Sequence, residues 1–135
     1  MTNAEIARVL ERLAVRLEIE GANPFRVRAY REAGRIVGAH AEAMTAIAGQ
    51  PGALEALKGI GKDLAGKIRD LVATGRTELD DELRAKIPDE VVDFTDLQGL
   101  GPRRVKTLFE TCGIRDRAAL EAAANAGKLR DLPGF

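Results

Sequence analysis

Two stretches of this chain, Leu57-Lys58-Gly59-Ile60-Gly61 and Leu97-Gln98-Gly99-Leu100-Gly101, carry one pattern, an apolar residue two positions before a Gly-apolar-Gly triplet. In both, a small or β-branched residue stands four after the second glycine (Ala65, Val105) and an apolar one three later (Ile68, Leu108). That is the spacing of one buried helix face. Glycines permit the positive φ and tight reversal that a connection between two short helices needs. The apolar residue between them can tuck between those helices, while Ala65 or Val105 must be compact where they cross. Such an arrangement leaves a helix N-terminus with free N–H groups pointing outward, a ready site for a phosphate.

This pattern resembles the helix-hairpin-helix motif of proteins that bind the DNA backbone. A single Gly-x-Gly is common in turns; two full matches are far more specific, and the closing Leu132-Pro133-Gly134-Phe135 begins a third. The intervening sequences do not resemble one another, so a stacked solenoid is not expected. The alternative reading is a protein-interaction scaffold, a helical bundle in which the hairpins serve only as packing turns.

Charged residues make up 31% of the chain and cancel to zero, so bulk charge does not indicate a polyanionic partner. Their distribution does. Arg26, Arg28, Arg31 and Arg35 face only Glu32 between Pro24 and Ala41, and Arg103, Arg104 and Lys106 meet no acid between Leu97 and Leu108. From Ala56 to Arg76, Lys58, Lys62, Lys67, Arg69 and Arg76 are set against Asp63 and Asp70. Basic charge therefore gathers at and beside the hairpins, as a nucleic-acid footprint would. Arg28, Arg31 and Arg35 share one helix face, which is either a DNA contact or a solvated surface paired through Glu32. Lys62, Arg103 and Arg104 stand at helix N-termini, where they oppose the helix dipole and a nearby phosphate would offset that cost.

Hydrophobic residues reach 45% but aromatics only 4%, so a core must rest on Ala, Leu, Ile and Val, a mix that favours helices. No segment alternates at period two, and the expected fold is all-α. Thr2-x-x-Glu5 reads as a capping box for a first helix closed by Gly21, and Asn23-Pro24 as cap and first residue of a second running to about His40. A short helix is expected between Pro51 and Leu57, then helices from about Lys62 to Thr74, Thr77 to Ile87, Asp89 to Phe94, Pro102 to Thr111 and Arg117 to Ala126. Pro88 marks the expected domain boundary, giving a helical bundle with the first hairpin over 1–87 and a second helix-hairpin-helix subdomain over 88–135. The third hairpin lacks its second helix, which suggests a chain cut from a longer protein and a mobile tail from about Lys128. The lone Cys112 and lone His40 form no disulfide framework or metal cluster, and both read as structural or incidental; lone thiols suit a reducing cytoplasm. No signal peptide or membrane-length apolar run is visible.

Read together with Asn23-Pro24-Phe25-Arg26-Val27-Arg28-Ala29-Tyr30-Arg31 and Ala73-Thr74-Gly75-Arg76, the hairpins resemble the N-terminal region of family X DNA polymerases of the bacterial and archaeal type. The resemblance covers essentially all of the chain. It implies a lyase-type domain whose hairpin grips the 5′-phosphate side of a gap, and a second hairpin for the primer side; the polymerase palm is not in this sequence. The expected partner is DNA, held without sequence preference by a monomer.

The resemblance places the Schiff-base lysine of 5′-deoxyribose-phosphate lyase chemistry at Lys67. It places 5′-phosphate contacts at Arg26 and Tyr30, and backbone and basic contacts at Lys58, Gly59, Gly61, Lys62, Gly99, Gly101, Arg103 and Arg104. Two further phosphate positions are acidic here, Glu55 and Asp63. The family's hairpins also bind a monovalent cation, Na⁺ or K⁺, through backbone carbonyls, which fall at Glu55, Leu57 and Ile60 and at Thr95, Leu97 and Leu100. No other cofactor is implied.

Overall fold

The computed structural model describes residues 1–97 and 100–129. Gly99 and the partial third hairpin therefore lie outside the described residues. The first helix, α1 (Asn3–Glu20), begins in the expected capping box: the Thr2 hydroxyl accepts from the Glu5 amide at 3.1 Å, and the Glu5 carboxylate accepts from the Thr2 amide at 2.9 Å. Gly21 ends it in the left-handed conformation, and Asn23 caps α2 (Pro24–Ala39) by accepting from the Phe25 amide at 2.8 Å. The two helices pack closely because Gly34 of α2 lies against α1; a Cβ there would stand 3.1 Å from the Ala7 carbonyl oxygen and 2.8 Å from the Glu11 side chain.

One expected helix is displaced. The short helix is α3 (Met44–Ile47), whereas the stretch from Pro51 to Leu57 is a run of turns. Pro51 offers no amide donor and Gly52 takes a φ of 74°, so the bonds there are mostly short-range, Ala53 to Gln50 at 3.2 Å and Leu57 to Leu54 at 3.1 Å. Upstream, Met44 and Ile47 bury their side chains, and Asn3 ties the start of α3 by accepting from the Met44 amide and donating to the Glu42 carbonyl, both at 2.8 Å.

The remaining helices fall where the sequence places them. α4 (Lys62–Thr74) ends at a left-handed Gly75, and α5 (Glu78–Lys86) is capped by Thr77. α6 (Asp89–Asp93) continues into a 3₁₀ turn, Phe94–Asp96. α7 (Pro102–Glu110) and α8 (Arg117–Asn125, capped by Asp116) complete the described chain, in which no strand occurs.

The apolar residues form two clusters. The first joins Ile6, Leu10, Leu13 and Leu17 of α1 to Tyr30, Ala33 and Val37 of α2 and to Leu64, Ala65, Ile68 and Leu71 of α4, with Leu83 of α5. The second gathers Ile87, Val91, Val92, Phe94, Val105, Leu108, Ile114 and Leu120. Ile19 of α1 is fully buried in that second cluster, with Val15 packed beside it. One helix thus contributes to both. Each Val, Leu, Ile or Phe side chain in these clusters gains about 1.5–3 kcal/mol from leaving water, and the stripes that do so are the ones read at helical spacing in the sequence.

Candidate nucleic-acid interface

Among the described residues the two hairpins share the same turn and helix-start hydrogen bonds. The Ile60 amide donates to the Leu57 carbonyl at 3.0 Å, and Leu100 to Leu97 at 3.0 Å; the Ala65 amide donates to Gly61 at 2.9 Å, and Val105 to Gly101 at 3.0 Å. Ile60 is the buried apolar residue between the glycines, and Ala65 and Val105 are fully buried.

The glycines divide into two kinds. Gly59 has a φ of 91°, which favours glycine in the turn, and a Cβ on it would come 2.5 Å from the Ile36 terminal methyl, which would have to move aside. Gly61 (φ −82°) and Gly101 (φ −86°) are instead extended N-caps of α4 and α7, a conformation any residue adopts. A Cβ on either would meet nothing within 4 Å. The expectation that both glycines of a triplet serve positive φ is corrected here, because the second one turns into a helix rather than through a reversal.

No side chain caps α4 or α7. Their first-turn amides carry the positive end of the helix dipole, a Cβ on the glycine ahead of each would meet nothing within 4 Å, and Lys62 and Arg103 are exposed beside them. Lys58 is exposed on the turn before α4. At α7 a cleft is lined by Leu97, Leu100, Gly101, Pro102, Arg103 and Arg104, together with Thr95 and Glu18 of α1. The carbonyls of Leu57 and Leu97 each accept one turn bond and keep a second lone pair. Among the described residues no group of three His, Cys, Asp or Glu is placed to hold a metal ion.

Arg26, Tyr30 and Lys67 come together between α2 and α4, around Asp63. Tyr30 is fully buried and donates its hydroxyl to Asp63 at 3.0 Å; the Lys67 ammonium donates to the same carboxylate at 3.3 Å. Burial first, then the Asp63 charge, pushes the Tyr30 phenol up to about 12. For Asp63, burial works to raise the pKa, but the hydrogen bonds from Tyr30 and Lys67 outweigh it and hold the carboxyl below its ordinary value. The Arg26 guanidinium stands 5.7 Å from the centre of the Tyr30 ring. The Lys67 amine is thus held by a carboxylate, and Tyr30 lies inside the fold with its hydroxyl engaged.

Glu55 pairs with Arg69 through both oxygens, one contact at 2.7 Å, and so ties the turns ahead of the first hairpin to α4. The Arg69 hydrogen bonds lower the Glu55 carboxyl to about 2. The arginines of α2 are also partnered: Arg31 with Glu18 at 3.2 Å, Arg35 with Glu32, and Arg28 over the Phe25 ring at 4.8 Å. Phe25 was not singled out by sequence reasoning, yet its ring is 74% exposed beside Arg28 and near the Arg26 site. The available signal was its place directly after Pro24, off the apolar stripe formed by Val27, Tyr30, Ala33 and Val37.

Two uncapped helix N-termini behind matching Gly-apolar-Gly turns define a double helix-hairpin-helix protein, and the chain belongs to the helix-hairpin-helix domain family, which it matches over residues 1–77. Residues 91–135 match a second family description, the SAM-like helix-hairpin-helix tandem. Over all 135 residues the chain is 29% identical to the DNA polymerase/3′-5′ exonuclease PolX of Bacillus subtilis (strain 168), and it spans 23% of that protein's length. The relative agrees with the resemblance carried by the sequence motifs. No helix among the described residues is long and apolar enough to cross a membrane.

Proposed function

We propose that the chain binds DNA without sequence preference, taking backbone phosphates on the first-turn amides of α4 and α7, as the DNA-gripping N-terminal module of a family X polymerase. The observation that carries this reading is the geometry of Gly61 and Gly101. Among the described helices of nine residues or more, the four others use side-chain caps, Thr2, Asn23, Thr77 and Asp116, and Ser, Asp or Asn would cap α4 and α7 better than glycine. Positive φ explains Gly59, but neither backbone nor packing gives a reason for a missing Cβ at Gly61 and Gly101, where a Cβ would meet nothing within 4 Å. Close approach of an outside group to the backbone does. A scaffold with packing turns would need only the first kind of glycine.

Backbone amides read phosphate rather than base, so such contacts carry no sequence information. A preference for gaps or nicks is supported by Phe25, whose exposed ring offers a stacking face for a base left unpaired. Polymerase and exonuclease activities are named for the relative; the part of that work proposed for this chain is the grip. Lyase chemistry at Lys67 would require its amine to leave Asp63. A Na⁺ or K⁺ ion on the Leu57 or Leu97 carbonyl would bridge the turn to a phosphate.

The test is fluorescence anisotropy with a labelled gapped duplex across a salt series. Contacts to about 3–5 phosphates give a log–log slope of about −3 to −4, equal for unrelated sequences. Salt-independent binding, or strong preference for one sequence, overturns the reading.

A further inference from the structure

Arg16 of α1 is fully buried, and its charge is spent on the connection between the two hairpin modules rather than on any ligand. Its Nε donates to the Ile87 carbonyl at 3.2 Å, and its Nη2 donates to the Asp89 carboxylate. Ile87 and Pro88 link α5, whose Leu83 belongs to the first apolar cluster, to α6, which begins at Asp89 and belongs to the second. Around this contact, Arg12 one turn earlier reaches Asp93 at 3.0 Å, and Arg84 of α5 binds Asp80 at 3.1 Å and approaches Asp89 at 3.9 Å. Asp89 is held below its ordinary carboxyl range chiefly by the Arg16 hydrogen bond.

Stability does not account for this arrangement. Burying an ion pair generally gives no more than a well-packed apolar pair of the same volume, and Arg16 Nη1 is buried with no hydrogen-bond partner. Ile19 and Val15 already hold α1 to the second cluster by apolar packing. What a directional guanidinium adds is a defined register between α1 and the link. Because α1 and α2 carry the first module, that register sets where the α7 N-terminus sits relative to the α4 N-terminus.

We propose that Arg16 is a positioning residue: by clamping the Ile87–Asp89 link it fixes the separation and orientation of the two hairpin phosphate sites, so that both engage one DNA molecule at once. The proposal rests on the DNA-binding reading above. Two sites on one frame gain about 10²–10⁴ in avidity, and lose it when geometry forbids joint engagement. Arg16 has no surface on which to meet DNA, so its effect is confined to that coupling.

The experiment compares the parent chain with Arg16→Met, which keeps an unbranched apolar stem, and with Asp89→Asn, which keeps the shape and removes the charge. Spin labels on the exposed Cys112, beyond α7, and on Asp70→Cys in α4 report the distance between the modules without DNA. Expected is one narrow distance in the parent and a broad distribution in both variants, at unchanged helix content by circular dichroism. With DNA, affinity for a duplex long enough to span both hairpins falls about tenfold or more, and the salt slope falls toward the value for one hairpin. Binding to a duplex too short to reach both stays unchanged.

A variant distance as narrow as the parent's overturns the proposal, as does an unchanged salt slope on the long duplex. A parent chain that binds neither duplex refutes the DNA reading instead, and the distance measurement then decides the clamp alone.

Discussion

Replacing Gly61 by Asp moves stability and binding in opposite directions. The N-cap of α4 is extended, with φ −82°, and a Cβ placed there meets nothing within 4 Å, so the side chain enters without strain. Its carboxylate can accept from the first-turn amides that no side chain now caps. Asp is better than Gly at this position by a few tenths of a kcal/mol, its charge gains about 0.3–1 kcal/mol from the helix dipole, and losing a glycine from the unfolded chain adds about 0.4–1 kcal/mol. Repulsion from Asp63, two residues on, takes some of this back. A net gain of about 1 kcal/mol raises Tm by about 3–5 °C in a chain of this size.

The same carboxylate occupies the place of the phosphate and repels it. Loss of one charge-assisted amide–phosphate bond costs about 1.5–3 kcal/mol, which is about a ten- to hundredfold loss of affinity. Gly101→Asp does the same at α7. Gly59→Asp is the control for fold damage, because its φ of 91° costs a non-glycine residue about 1–2 kcal/mol and the Ile36 terminal methyl, 2.5 Å from the new Cβ, must also shift. Thermal unfolding and anisotropy on the three variants decide the matter. A Gly61→Asp protein with raised Tm and undiminished DNA affinity would refute the argument that the α4 amides hold phosphate.

Tyr30 is the one tyrosine in a chain without tryptophan, so absorbance titration reads it directly; its midpoint is expected at about 12 in the native protein and near 10 in denaturant. The folded value lies above the unfolded one, so this group's contribution to stability is fully present below about pH 10 and is lost as pH rises through 12; a native midpoint near 10 would mean that Tyr30 is not buried beside Asp63. In borohydride trapping with a 5′-deoxyribose-phosphate substrate, Lys67→Ala is expected to remove most of the adduct, and Asp63→Asn, which keeps an acceptor for Tyr30 but frees the amine of its ion pair, to increase it. Equal trapping in the parent and Lys67→Ala assigns the chemistry to another lysine, Lys62 first.

The periodic and punctuating residues of this chain determined its helices without help from the rest of the fold. Thr2 with Glu5, Gly21, Asn23 with Pro24, Gly75 and Thr77 act on backbone groups within a few residues of themselves, so their effect is legible in a local window. The hairpins were legible for the same reason, since an i to i+3 turn followed by a helix start is local geometry. The short helix expected between Pro51 and Leu57 read less well, because its true place at Met44–Ile47 depended on those side chains finding the core and on Asn3, far away in sequence, holding the start of α3. Helical spacing placed Tyr30 on an apolar face, but tertiary structure alone decided that its hydroxyl meets Asp63 and that Glu55 is tied to Arg69. It also decided the difference between Gly59 and Gly61, because the first faces Ile36 of a distant helix and the second faces open space. Arg16 shows the limit most clearly: in sequence it is one more arginine near the edge of an amphipathic helix, and only the close packing of α1 against the Ile87–Asp89 link removes it from water and makes its charge directional.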